Sequence, residues 1–202
     1  MSELTAETIQ RAILRFEAGV ERAAPELNEL DGALGDGDLG ITLTLAAERL
    51  KNEVSNIPDD LGMALMRCAQ CFTGVSGSTY GTLLATGLMA AAKATKGKTG
   101  VPWPELSPLL AAAVQAMSNR SKGELGDKTV LDAIEAARSA TAGLAEPRAI
   151  AAAACDAINS ALEQFRTLPF RQGRARIFGE KGIGRDDPGM VAFLRIVEIV
   201  GA

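Results

Sequence analysis

The chain has 202 residues, 47% hydrophobic and 23% charged, which suits a soluble globular protein of one substantial domain or two small ones. Its 21 basic and 25 acidic residues give a formal charge of −4 without a basic stripe, which argues against nucleic-acid binding, and no apolar run approaches a membrane span. The absence of histidine excludes Ser-His-Asp and Cys-His nucleophile systems, histidine-bearing zinc sites and a phosphohistidine on this chain, so any imidazole the chemistry needs comes from another protein.

In chain order, Met1–Thr8 has neither the basic start nor the apolar core of a signal peptide, and the expected compartment is the cytoplasm. Ile9, Ile13, Phe16 and Val20 mark one face of a first helix, with Thr5 as its N-cap and Glu7 placing negative charge in the first turn. A short turn containing Pro25 precedes an Asp- and Gly-rich stretch. Further helices are predicted over about 40–54, 61–73, 77–95 and 105–120, with Pro108 tolerable only near the start of the last of these. Residues 96–104 read as a loop. A sixth helix is predicted over about 128–142 and a seventh over about 147–165. The loop 169–187 is rich in glycine and arginine, and an eighth helix follows over 188–200, with Asp187 as N-cap and Pro188 at the first helical position. The best strand candidate, 174–178, is short. The pattern is all-α, and no linker divides it, so one domain over 1–202 is expected. Cys68 and Cys71 form a C-x-x-C, but they lie on helical apolar spacing and read as buried packing.

Three segments carry chemistry. Asp31, Asp36 and Asp38 crowd negative charge among glycines between two helices; such a cluster calls for a cation, and hard oxygen donors suit magnesium meeting phosphates. Asp-rich turns without metals are also common. Gly35-x-Gly37-x-x-Gly40 matches a dinucleotide fingerprint literally, but no strand precedes it, and an EF-hand fails at Gly40 and Ala47. The small-residue turn 73–82 leads into an apolar helix and suits either an anion site at a helix N-terminus or a tight interhelical turn. Gly97-Lys98-Thr99 and Gly126-Asp127-Lys128-Thr129 lack the strand–loop–helix setting of a Walker A loop. The segment 123–129 begins a helix, with a purpose that spacing does not reveal. The loop 171–189 is long for a plain connection and is suited to laying an arginine against phosphate oxygens.

Together and in this order, the Asp31-x4-Asp36-x-Asp38-x-Gly40 cluster, the Gly74-x-Ser76-Gly77 turn, Gly126-Asp-Lys-Thr129, and Gly173-Arg-Ala175 followed by Asp187-Pro-Gly189 resemble the L subunit of dihydroxyacetone kinase. The resemblance covers nearly the whole chain. It implies a barrel of eight antiparallel helices that binds ADP or ATP with two magnesium ions at one end. Asp31, Asp36 and Asp38 would be the magnesium ligands. Leu39, Gly40, Ile41, Thr42, Val75 and Ser76 would line the phosphate region. Ser121 and Val130 would surround the nucleotide, Arg174 would contact it, and Asp187, Pro188 and Gly189 would complete the pocket.

The implied activity is phosphoryl transfer to dihydroxyacetone or a related short ketose, held through a histidine on a separate K subunit. The donor would be ATP or a phosphotransferase-system phosphocarrier acting on bound ADP; a free-standing L chain resembles the second arrangement. A homodimer or a hetero-oligomer is expected, with no nucleic acid and no membrane. Two positions depart from the family pattern: Leu39 stands where histidine is usual, and Ser121 where glycine is common. The alternatives are a non-catalytic ADP-binding regulatory module docked onto a kinase or transcription-factor partner, and an all-helical structural protein with an Asp-rich turn.

Overall fold

The computed structural model describes residues 3–75 and 79–202. Among the described residues there are eight α-helices: α1 (Ala6–Gly32), α2 (Leu39–Glu53), α3 (Leu61–Thr73), α4 (Thr79–Thr95), α5 (Leu106–Ser121), α6 (Val130–Ala140), α7 (Pro147–Arg166) and α8 (Pro188–Gly201). Consecutive helices pack against one another, and α8 closes the ring by packing on α1. The all-α expectation holds. Alternating helix direction brings the loops 33–38, 122–129 and 167–187, with residues 74–75, to one end of the ring. The loops 54–60, 96–105 and 141–146 gather at the other end.

The sequence explains most of these boundaries. Thr5 caps α1 by accepting the Thr8 amide, and Thr8 returns the bond in a capping box. Asp187 accepts the Met190 amide at 2.8 Å with Pro188 at the first helical position, so α8 starts where its sequence predicts. The main core draws Phe16, Val20 and Leu27 from α1, Leu43 and Ala46 from α2, Ile158 from α7 and Met190 from α8. Fully buried alanines such as Ala46, Ala64, Ala133 and Ala192 let the helix axes approach closely. Cys68 and Cys71 are both buried, as packing residues should be, and burial pushes the Cys68 thiol up to about 12.

Two expectations need correction, the turn at Pro25 and the plain loop over 96–104. Pro25 does not end the first helix; it lies inside α1 at an exposed position, while buried Leu27 carries the apolar stripe onward. Two short strands, β1 (Glu3–Thr5) and β2 (Gly100–Pro102), pair antiparallel, with Leu4 opposite Val101 and both buried against Leu61, Leu65 and Leu109. Three residues are too few to display an alternating pattern. In keeping with the all-α reading, the short stretch 174–178 forms no strand; it is 3₁₀-helical within Arg174–Gly182, and Gly179 breaks that segment with a φ of 48°.

Candidate functional site

Asp31 lies in the last turn of α1, and the chain reverses through 33–38 into α2. The Asp31 carboxylate accepts the Asp38 amide at 3.0 Å, and Gly37 permits the reversal with a φ of 77°. Asp38 stands at the N-cap of α2, yet its side chain makes no capping bond. Asn28 of α1 caps the helix instead, its side-chain oxygen accepting the Gly40 amide at 2.8 Å and the Ile41 amide at 3.2 Å. The Asp38 carboxylate is thereby left for another partner. Carboxylate oxygens of Asp31, Asp36 and Asp38 lie within 4.8 Å of one another, with Asp31 half-buried and the other two exposed.

Arg174 reaches across from the last loop and ion-pairs with Asp36. Its guanidinium holds the Asp36 carboxyl below the usual carboxylate range, while burial and the charges of Asp36 and Asp31 push Asp38 above it. Three carboxylates against one guanidinium leave negative charge unbalanced. All-oxygen donors at this spacing fit a hard divalent cation such as magnesium.

A cavity of about 750 Å³ opens beside this cluster, within the range of small-molecule sites. Its walls come from the acid loop, the starts of α4, α6 and α8, the end of α5, and the segment 172–175. Helix N-termini present amide N–H groups and favour anions, so the cavity suits a ligand that carries phosphates. Of the residues expected from the sequence, Asp31, Asp36, Asp38, Leu39, Ser121, Val130, Arg174, Asp187, Pro188 and Gly189 all border the cavity. Gly40, Ile41, Thr42 and Val75 stand back from its wall. Gly40 and Thr42 are buried, Ile41 faces solvent with its amide held by Asn28, and Val75 sits in the main core. Ser76 lies outside the described residues.

Several groups that shape the site carry no local signature. Asn28 is one; only its place on the inward edge of α1, ahead of an Asp-rich turn, marks it. Tyr80 borders the cavity, and its buried hydroxyl has no hydrogen-bond partner among the described residues. Burial and the Asp187 charge push that phenol upward. Asp187 is itself raised to about 7, chiefly by burial and further by Asp132, against the opposing Met190 amide and Lys128 charge. The Ser121 carbonyl accepts Gln172 Nε2 at 3.0 Å, which ties the end of α5 to the arginine-bearing segment.

Residues 33–202 match the DAK2 domain family. The chain is 28% identical to the ADP-binding subunit DhaL of PEP-dependent dihydroxyacetone kinase 2 from Listeria innocua, over 99% of this chain and 96% of that one. It is 29% identical to the ADP-binding subunit DhaL of PEP-dependent dihydroxyacetone kinase from Escherichia coli, over 86% of this chain and 85% of the relative. In fold it resembles the crystal structure of the dihydroxyacetone kinase from C. freundii in complex with AMP-PNP and Mg2+. That match has a TM-score of 0.73 at 22% identity and covers 98% of this chain but 33% of that longer one. The chain therefore belongs to the DAK2 domain family, as a kinase-type domain of the DhaL kind.

Proposed function

We propose that the chain is the nucleotide-binding subunit of a dihydroxyacetone or related short-ketose kinase, holding ADP or ATP with two magnesium ions in a single domain. One observation carries this reading: three mutually close carboxylates border the same cavity as a phosphate-competent arginine and the N-terminus of α8. Asp31, Asp36 and Asp38 would hold the metal, which when bound neutralises phosphate charge and orients the phosphoryl group. Arg174 offers a planar donor fork suited to phosphate oxygens. Leu39, Val130 and Leu131 give the cavity apolar wall against which water is excluded. With no histidine here, a partner K subunit holds the ketose, and this chain contributes positioning and charge.

The names of the relatives, PEP-dependent and ADP-binding, support bound ADP recharged at the expense of phosphoenolpyruvate; in our reading a phosphotransferase-system phosphocarrier delivers that phosphoryl group, in the cytoplasm. The test mixes the chain with a K subunit and dihydroxyacetone, supplying ATP in one arm and phosphoenolpyruvate with phosphocarrier proteins in the other. Phosphorylated product in either arm is expected. Its absence from both, with magnesium-dependent ADP binding intact, would favour the second reading: a regulatory module that retains ADP and docks onto a kinase or transcription-factor partner. Leu39, apolar at the cavity wall where the family usually has histidine, is the observation behind that second reading.

A further inference from the structure

Lys128 is the largest fully buried side chain, at 1% exposure. Desolvating an ammonium is costly unless its donors are satisfied. Here Nζ donates to the Leu168 carbonyl at 2.9 Å and the Gly182 carbonyl at 3.3 Å, and lies 4.1 Å from the centre of the Phe170 ring. Those carbonyls stand at the two ends of the segment that carries Arg174. One buried cation thus closes that segment into a loop.

The backbone is bent to allow this. Lys128 has a φ of 63° and Gly126 one of 97°, and a non-glycine residue in the left-handed region costs about 1 kcal/mol. The Asp132 carboxylate holds the bend by accepting the Gly126 amide at 2.6 Å and the Thr129 amide at 2.8 Å. Inside the loop, Phe170 and Ala175 form a small core with Leu34, which belongs to the acid loop. Contacts therefore run from Lys128 through Phe170 and Ala175 to Leu34, and Arg174 leaves the same loop to meet Asp36. Lys128 is not among the residues that border the cavity.

We propose that Lys128 is a positioning residue: by clipping Leu168 to Gly182 it sets Arg174 over the acid cluster, and it acts on the nucleotide only through Arg174. This rests on the nucleotide-site reading above.

The test is a double-mutant cycle on the full chain: wild type, Lys128→Met, Arg174→Ala and the pair, each titrated with magnesium-ADP by calorimetry. Amide exchange over 170–182 is followed separately without ligand. Each single variant should weaken ADP by about tenfold or more, and the double variant should be no weaker than Arg174→Ala alone. Exchange over 170–182 should accelerate in Lys128→Met while α3 and α4 stay protected. Multiplying effects, an affinity within twofold of wild type, or unchanged loop exchange would each overturn the proposal. If Lys128→Met fails to fold, Phe170→Leu, which removes the ring beside the ammonium, is put through the same cycle and judged by the same outcomes. Wild type that binds no magnesium-ADP sinks the nucleotide reading and the Arg174 step together, whereas slow loop exchange in that protein, lost in the variant, still upholds the clip.

Discussion

Replacing Arg174 with glutamine should move two affinities in opposite directions. In the ligand-free chain the guanidinium pairs with Asp36, and the two side chains are 52% and 47% exposed. A solvent-screened pair of this kind is worth about 0.2–1 kcal/mol. A cation arriving without nucleotide must displace it, so Arg174→Gln should bind that cation roughly 1.5–5-fold more tightly. With nucleotide the sign reverses. A charge-assisted bond to a phosphate oxygen contributes about 1.5–3 kcal/mol, so magnesium-ADP should bind roughly 10–150-fold more weakly. The assay titrates Mn2+ alone by electron paramagnetic resonance and magnesium-ADP by calorimetry, at one ionic strength because screening alters the pair. If Mn2+ affinity falls or stays level in the variant, Arg174 does not compete with the cation and the reasoning fails.

Three further outcomes are expected. Asp36→Ala should abolish magnesium-dependent ADP binding while leaving helical circular dichroism unchanged, since it removes a half-exposed ion pair worth under about 1 kcal/mol; unaltered ADP affinity would refute the metal assignment. Gly40→Ala would drive a methyl group into the Ala24 backbone, to within 2.7 Å of its Cα, forcing α1 and α2 apart. The cost should be about 1–3 kcal/mol, a Tm fall of roughly 2–12 °C in a thermal melt, with weaker Mn2+ binding as the acid loop shifts. Asp187, raised to about 7 in the folded chain, holds a proton there that the unfolded chain releases near 3.9. The folded state binds more protons between those values, so that part of the stability is present below pH 4 and is lost as pH rises through 7. Asp187→Asn keeps a good N-cap, so against it the wild type should lose on the order of 2–4 kcal/mol across that window, read from urea midpoints; parallel pH curves would count against the buried carboxyl.

Apolar periodicity made the helices legible because each buries a stripe whose spacing is local to the chain. Caps such as Thr5 and Asp187 were legible for the same reason: donor and acceptor lie three residues apart. Pro25 misled because its ring usually ends a helix, and the outcome depended on which face of α1 meets solvent. The acid cluster stood out since three carboxylates in eight residues are costly without a counterion. What holds that cluster in shape was hidden, because no local pattern marks its partners: Asn28, less than a turn before Asp31, takes over the capping bond at α2, and Arg174 arrives from the distant last loop.

Lys128 shows the limit most plainly. In the sequence it lies in Gly126-Asp-Lys-Thr129, which lacks the setting of a Walker A loop, and spacing reveals no purpose for it. In the fold Lys128 does not border the cavity, and its ammonium donates to the backbone carbonyls of Leu168 and Gly182, at the two ends of a later segment. The same lysine that invites a mistaken Walker reading thus belongs to the support of the site, with Arg174 at the far side of the loop it closes. That arrangement places Arg174, half-exposed and paired with Asp36, on a loop whose ends are fixed. On the nucleotide-site reading proposed above, a guanidinium so mounted would exchange an Asp36 carboxylate for a phosphate oxygen while the ends of its loop stay fixed, the preorganisation that positioning a phosphoryl group requires.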